Sequence, residues 1–130
     1  VSLYPEVFKP YDYQASLTFF KEMMEKENFL FLFAEEDGEA CGYLMAEIRE
    51  RKENALTRDD RSVYVHHIGV LKEHYRSGFG TALMEEVFRI AADYGIKRVE
   101  LDYWSGNGSA QVFYRKLGFK NIREFVYKDI

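Results

Sequence analysis

VYVHHIGVLKEHYRSGFGT, residues 63–81, decides the fold of this chain. Its first eight residues alternate with the period of two that is typical of a β-strand. Gly69 lies near the end of that strand, where a glycine often marks a bulge or a close backbone approach. Gly78 and Gly80 then form a glycine-rich turn before an apolar stripe of helical spacing that ends at Gly95. Because such a turn leaves N–H groups at the positive end of a helix, the stretch predicts strand, turn, helix and an anion site.

Two common nucleotide-binding motifs do not match this turn. A P-loop requires GxxxxGK[ST], and no lysine follows Gly80. The dinucleotide fingerprint GxGxxG begins with Gly78 and Gly80, but Leu83 occupies the position of its third glycine. The turn could therefore bind a phosphate or simply reverse the chain, and the residues around it have to decide.

Two longer segments resemble the motifs of one family. HHIGVLKEHYRSGFGTAL, residues 66–83, resembles motif A of the GNAT superfamily of N-acetyltransferases, whose signature is [Q/R]-x-x-G-x-[G/A] after a strand. NGSAQVFYRKLGF, residues 107–119, resembles motif B of the same superfamily. The motifs occur in the order and separation of the family, within a resemblance that spans residues 29–125. The chain departs from motif A at Tyr75, which stands at the [Q/R] position with Arg76 after it.

The resemblance implies a co-substrate, acetyl-CoA, whose acetyl group the family transfers to an amine by direct attack in a ternary complex. Two parallel strands would part at a bulge near Gly69, where the pantetheine arm would pair with backbone groups of Ile68 and Val70. The pyrophosphate would bind N–H groups of the turn, whose glycines allow a close approach. That turn comprises Arg76, Ser77, Gly78, Phe79, Gly80 and Thr81. We expect no metal, because neighbouring strand residues cannot converge on one ion.

Acetyl transfer needs the acceptor amine in its neutral form. An alkyl amine with a pKa of about 10 is roughly 0.1% neutral at pH 7, so deprotonation costs on the order of 4 kcal/mol. His66 and His67 are the candidates for a base or a water relay, since histidine titrates near neutrality. Adjacent strand residues point to opposite faces, so we expect at most one of them to reach the acceptor. Glu47, on the preceding strand, is a weaker rival, and both histidines could instead pack or shape the site.

Motif B supplies two further candidates. By resemblance, Tyr114 stands where the family places a general acid for the departing CoA thiolate, although its apolar stripe would also suit a core residue. Asn107 would contact the CoA arm, or would only cap the helix that follows. Trp104 would end its strand at the cleft, either as a wall of the acceptor pocket or as core. Cys41 is most simply a small core residue.

The composition limits the class of protein. At 130 residues, 47% hydrophobic and 17% aromatic, the chain predicts one globular domain over residues 1–130. Its net charge of −4 gives no support to a nucleic-acid-binding surface. The single cysteine excludes an intrachain disulfide, and no apolar run is long enough to suggest a membrane span. We therefore expect a cytoplasmic protein without nucleic-acid or membrane partners; a homodimer stays open.

The other segments predict a mixed α/β fold. Asp12 would cap a helix, and the apolar run from Asn28 would be a buried strand that returns through an Asp-Gly hairpin. The helix after the glycine turn would join strand 63–70 to a parallel strand at residues 96–104 by a right-handed crossover. A helix at 107–117 and a last strand at 121–130 would complete a sheet with helices on both faces. Too few residues precede Asp12 for the opening strand and helix of the family, so we expect an N-terminal strand to be missing.

Together these patterns predict an acetyl-CoA-dependent N-acetyltransferase that acts on a primary amine of a small molecule or a protein. The alternative is an acyl-CoA-binding or regulatory domain without catalysis, which Tyr75 and the short N-terminus keep open. Polyamines, aminoglycosides, amino acids and protein amines all remain candidate acceptors, and the acidic charge only favours a cationic one.

Overall fold

The computed structural model describes residues 13–75 and 77–130, and of these the side chains of residues 13, 16 and 20 are not described. Three helices and four strands follow one another along this part of the chain. They are α1 (Tyr13–Met24), β1 (Phe29–Glu36), β2 (Glu39–Arg51), β3 (Asp60–Val70), α2 (Phe79–Asp93), β4 (Val99–Glu100) and α3 (Gly108–Lys116). A single 3₁₀ turn, Lys72–His74, lies between β3 and α2. The expected cap at Asp12 and the expectation about an N-terminal strand fall outside the described residues.

The four strands form one mixed sheet in the order β1-β2-β3-β4. β2 pairs antiparallel with both β1 and β3, whereas β3 and β4 are parallel neighbours. α2 lies between the parallel strands in the chain, as expected because parallel neighbours need a long crossover connection. The predicted mixed α/β fold is confirmed, but the parallel pair joins β3 to β4 at the edge of the described sheet and is therefore not central.

A two-residue turn joins β1 to β2. Glu36 pairs with Glu39, and between them Asp37 and Gly38 have φ angles of 52° and 83°. Positive φ at both central residues is typical of a type I′ turn, whose twist matches that of the flanking strands. The predicted Asp-Gly hairpin is therefore present.

The hydrophobic core lies between the sheet and α2. The sheet contributes Leu44, Ala46, Val63 and Val65, each at most 4% exposed. Met45 points to the other face and is only 2% exposed, so the centre of β2 is covered on both sides. α1 contacts β1 at the start of the sheet. The helical side of the core is built from Leu83, Met84, Val87 and Ala91 of α2.

Two predicted strands differ from the structure. The strand expected at residues 96–104 is paired only at Val99–Glu100, because the chain leaves β3 after Glu100. Residues 121–130 do not form a strand: each is exposed, and none pairs with the described sheet. A strand needs a neighbour for its N–H and C=O groups, so a segment without a neighbouring strand stays irregular.

The bulge of β3 lies at His66 and not at Gly69 as predicted. Met45 opposes His67 and Ala46 opposes Val65, so His66 is an extra residue with no residue of β2 directly opposite it. The last pair between β3 and β4 is Tyr64 with Glu100, so the parallel strands part at almost the same place. The splayed pair is therefore present, with its bulge three residues earlier than expected.

Gly69 serves a different purpose in the sheet. It lies opposite Tyr43, and a Cβ at Gly69 would come within 2.8 Å of Cε1 of that ring. The glycine therefore leaves room for a cross-strand aromatic side chain.

Candidate active site

The bulge brings both candidate histidines to one face of the sheet. His67 lies opposite Met45, which points away from the α2 side, and directly opposite residues share a face. His66 reaches Glu47, two residues along β2 from Met45 and therefore on the same face. The expectation that these histidines point to opposite faces is wrong, because a bulge interrupts the period of two. We call Glu47, Tyr64, His66 and His67 the polar face.

Glu47 and His66 form a hydrogen-bonded pair. Nε2 of His66 lies 2.8 Å from Oε1 of Glu47, and the two side chains are 24% and 20% exposed. The imidazole also stacks on the ring of Phe29, with centroids 5.4 Å apart. A carboxylate at one ring nitrogen fixes the orientation of the imidazole and leaves the second nitrogen, Nδ1, to accept a proton.

Further polar contacts hold the Glu47 carboxylate. Asn28 donates from Nδ2 to Oε2 at 3.1 Å, and Arg49 donates from Nε to Oε1 at 3.2 Å. Burial alone would raise the pKa of Glu47, but the hydrogen bonds from His66 and Arg49, together with their charges, outweigh it and lower the pKa. Glu47 is therefore ionised at neutral pH, where it suits an orienting partner of His66.

Tyr64 extends this network to the segment that follows β4. Its hydroxyl donates to Oδ2 of Asp102 at 2.5 Å, and the guanidinium of Arg49 lies 3.9 Å from its ring centroid. Its ring also meets His66 edge-on, with centroids 4.9 Å apart. Burial, followed by the hydrogen bond and charge of Asp102, raises the pKa of Tyr64 to about 12. The Tyr64 hydroxyl is therefore a donor throughout the neutral range.

His67 has a different environment from His66. It keeps an exposed side, and the burial of part of its ring, followed by the charge of His66, lowers its pKa. The ring is therefore neutral at pH 7. Of the two histidines, His66 is the one that is bonded to Glu47.

The backbone of β3 turns two predicted cofactor residues towards the gap beside β4. The N–H of Leu71 donates to the carbonyl of Cys41 at 2.8 Å, so Leu71 faces β2. Because backbone groups of successive strand residues point to alternate sides, Val70 and Ile68 face away from β2. An extended ligand arm in the gap would find donors and acceptors at these two residues.

The turn before α2 leaves helix N–H groups available. Gly78 is the N-cap with φ 88°, and among the described side chains none caps the helix. The first helical bond runs from the N–H of Ala82 to the carbonyl of Gly78, so the N–H groups of residues 79–81 have no acceptor within α2. Such a helix start favours an anion. The Ser77 hydroxyl donates to the carbonyl of His74, and Arg76 lies outside the described residues.

The two glycines of the turn have different roles in the fold. A Cβ at Gly80 would lie 3.3 Å from Cζ of Phe113, so the missing side chain lets α3 pack against the start of α2. Nothing lies within 4 Å of a Cβ at Gly78, where the positive φ is what requires glycine. A bulky residue at Gly80 would displace α3, which makes that position a poor probe of phosphate binding alone.

α3 carries the two candidates of motif B. Asn107 is its N-cap, with Oδ1 accepting from the N–H of Ala110 at 3.1 Å, so the capping alternative is realised and Nδ2 remains a donor. Tyr114 is 8% exposed, and its ring stacks on Tyr103, just after β4, at 5.6 Å between centroids. Burial raises the pKa of Tyr114, so its hydroxyl is protonated at neutral pH.

The sequence patterns did not predict four residues of this network: Tyr64, Asp102, Asn28 and Arg49. The alternation of β2 and β3 placed Glu47 and Tyr64 on strands, but their pairing depends on a register that the bulge sets. Asp102 joins them only through the parallel pairing of two strands that are far apart in the chain. No local pattern marks either relation.

Two other candidates are settled by burial. Cys41 is a core residue as predicted: it is 2% exposed, Sγ donates to the carbonyl of Ala34 at 3.3 Å, and burial, followed by Glu36, raises its pKa. Trp104 is 44% exposed, so it is not core.

Across the described ranges, no three His, Cys, Asp or Glu side chains are grouped to hold a metal ion, and no helix has the length and apolarity to cross a bilayer.

Comparison with known protein families shows which family this chain belongs to. The model of the acetyltransferase (GNAT) family matches residues 1–119, a span that includes the polar face, the glycine turn and α3. The chain belongs to the GNAT family. This GNAT chain is similar to the N-alpha-acetyltransferase of Sulfurisphaera tokodaii, with 33% identity over 108 residues, or 81% of this chain and 65% of the relative. It therefore spans less than two thirds of the length of that curated relative.

Solved structures confirm the fold of this GNAT chain. A protein from Bacillus halodurans superposes with a TM-score of 0.92 at 16% identity, over 98% of this chain and 82% of the other. An aminoglycoside 6′-N-acetyltransferase from Acinetobacter haemolyticus superposes with a TM-score of 0.77 at 27% identity, over 93% and 83% of the two chains. The first likeness concerns the fold alone. The resemblance inferred from motifs A and B is confirmed.

Proposed function

We propose that this GNAT chain transfers the acetyl group of acetyl-CoA to a primary amine of a small molecule or a protein. The observation that carries the proposal is the position of His66. The bulge places this residue about 7 Å along β3 from the last pair with β4, which is where the gap opens. Its Nε2 is bonded to Glu47, so an oriented proton acceptor stands at the mouth of the proposed cofactor site.

Backbone groups would hold most of the acetyl-CoA. Ile68 and Val70 supply the N–H and C=O groups that face the gap, and the pantetheine arm would pair with them. Residues 76–81 would bind the pyrophosphate through the N–H groups at the start of α2, where the helix dipole favours an anion. Asn107 would add a side-chain contact through Nδ2, since its Oδ1 is occupied by the helix cap.

The proposed reaction is a direct displacement at the thioester. The lone pair of the amine nitrogen attacks the carbonyl carbon, an N–C bond forms and the C–S bond breaks. The proton lost by the amine passes to Nδ1 of His66, while Glu47 holds Nε2 and stabilises the charge that develops on the ring. Tyr114, protonated because burial raises its pKa, would give its hydroxyl proton to the departing thiolate, and it would regain a proton from solvent as His66 releases the one taken from the amine.

The chemistry of the polar face favours a cationic acceptor. Glu47 places a carboxylate beside the gap, and an ammonium ion would be attracted there before it loses its proton. The relatives named above are an N-alpha-acetyltransferase and an aminoglycoside N-acetyltransferase, whose acceptors are amines. The proposal therefore takes a cationic primary amine as the acceptor class.

The test is the acetyl-CoA-dependent release of thiol with a panel of amines. The panel contains an aminoglycoside, a polyamine and a peptide with a free N-terminus, and its control is the same peptide with an acetylated N-terminus. We expect release with at least one free amine, loss of release in His66→Ala, and no release with the blocked peptide. A chain that binds acetyl-CoA in calorimetry but releases thiol with no amine would be the acyl-CoA-binding domain instead.

A further inference from the structure

A side-chain hydrogen bond spans the two strands at the point where their backbones part. The Tyr64 hydroxyl donates to Oδ2 of Asp102 at 2.5 Å, and the last backbone pair of β3 and β4 is Tyr64 with Glu100. Asp102 lies two residues beyond Glu100, after the end of β4. The bond therefore closes the gap just beyond the end of the ladder, next to the bulge at His66.

We infer that Tyr64 and Asp102 are positioning residues, whose bond fixes the width of the gap between β3 and the segment after β4 and holds the His66 ring at its mouth. The inference rests on the proposed function, because it assigns these residues to the same cofactor gap and the same proton acceptor. Neither residue is proposed to touch the reacting atoms.

The Tyr64 ring is held from three directions. Its displacement would therefore also move His66, the proposed base. Its hydroxyl is bonded to Asp102, Arg49 lies 3.9 Å from its ring centroid, and the ring meets His66 edge-on. Arg49 and His66 both bond to the same oxygen of Glu47, at 3.2 and 2.8 Å. A shift of Tyr64 would therefore move both partners of that oxygen.

The Tyr64–Asp102 hydrogen bond should persist over the pH range in which an enzyme works. Burial and Asp102 raise the pKa of Tyr64 to about 12, so the phenol donates at every neutral pH. The phenol is therefore a permanent donor to the Asp102 side chain. The Tyr64–Asp102 hydrogen bond is therefore a fixed link between the two segments and not a pH switch.

The test compares five variants of the whole chain: Tyr64→Phe, Asp102→Ala, Asp102→Asn, the double variant Tyr64→Phe with Asp102→Ala, and Tyr94→Phe. The last deletes the hydroxyl of an exposed tyrosine at the far end of α2 and serves as the matched control. Calorimetry gives the acetyl-CoA affinity, steady-state kinetics give kcat, and melting curves give the folded fraction.

We expect Tyr64→Phe and Asp102→Ala each to weaken acetyl-CoA binding and lower kcat by about tenfold, the size of one charge-assisted hydrogen bond. The double variant should be no worse than either single variant, because both delete the same interaction. Asp102→Asn should keep activity within about threefold, since its amide oxygen still accepts from Tyr64. Tyr94→Phe should behave as wild type.

Other outcomes would overturn the inference. Lower melting temperatures with unchanged affinity and unchanged kcat per folded molecule would make the bond merely structural. If Asp102→Asn were as damaging as Asp102→Ala while Tyr64→Phe stayed active, Asp102 would bind the acceptor directly. A wild-type chain that binds acetyl-CoA but transfers no acetyl group would overturn the proposed function. The acetyl-CoA affinities of the variants would still decide whether the Tyr64–Asp102 bond fixes the width of the gap.

Discussion

The two faces of the sheet are built from alternate residues of the same strands but are held in different ways. Facing α2, Leu44 and Val63 are 0% exposed and rely on burial. On the polar face, Glu47 and Tyr64 lie opposite each other, are only partly buried and are bonded to other side chains. The stabilisation from apolar burial depends on the buried area and tolerates small shifts of the side chains. The strength of a hydrogen bond depends on its distance and angle. The apolar face should therefore carry stability, and the polar face should carry chemistry.

Substitution of His66 is expected to have the largest effect. His66→Ala removes the proposed proton acceptor, so kcat should fall by about 10³-fold, within the usual range for a general base. The acid limb of the rate profile, which a histidine base produces, should disappear with it. The melting temperature should change little, because the ring is partly exposed and contributes nothing to the cluster beneath α2. Activity retained within a few-fold would remove His66 from the mechanism.

Leu44→Ala is the converse test on the apolar face. The side chain is fully buried, so its truncation should lower the free energy of unfolding by about 3 kcal/mol through lost burial and the cavity left behind. The rate per folded molecule should stay close to wild type, since the polar face retains its bonds. Denaturant unfolding followed by kinetics at a low temperature measures both quantities. A large loss of kcat in the fully folded variant would show that the faces are not separable.

Tyr114→Phe asks whether a residue with core-like burial can be catalytic. The change keeps the ring and its contact with Tyr103 while deleting the hydroxyl. Loss of a proton donor to the thiolate should lower kcat by about 10²-fold and leave acetyl-CoA affinity nearly unchanged. Because burial raises the pKa of Tyr114 above its ordinary value of 10, the loss should be uniform between pH 6 and 9. Full activity with a lower melting temperature would return Tyr114 to the core.

The features that could be predicted from the sequence are those with a local cause. Asp37 and Gly38 adopt positive φ because of their own chemistry, so the hairpin was predictable. The apolar stripe of α2 and the glycine at its start are equally local. The bulge is not, because its position depends on how β2 and β3 align across a ten-residue ladder and Gly69 offers a misleading local signal.

The same distinction explains which site residues were found. His66, His67 and Glu47 are titratable residues on predicted strands, so their types alone made them candidates. Tyr64 and Asp102 acquire their role from parallel strands that a fifteen-residue helix separates in the chain. Residues 121–130 illustrate the reverse case, since we expected a strand there but no described strand pairs with them. Pairing partners, and not propensity, decide these positions.

The smallest expected effect concerns His67, the member of the polar face that the proposed reaction does not use. Burial, followed by the charge of His66, lowers its pKa below the ordinary value of 6.5, so the unfolded chain binds a proton more readily than the folded one. Stability that His67 contributes above pH 6.5 is therefore lost as the pH falls through the folded pKa. His67→Gln should flatten the fall of the melting temperature between pH 7.5 and 5.5, after subtraction of any constant offset, and leave kcat within a few-fold. An unchanged slope would mean that a group other than His67 sets the acid sensitivity of the fold.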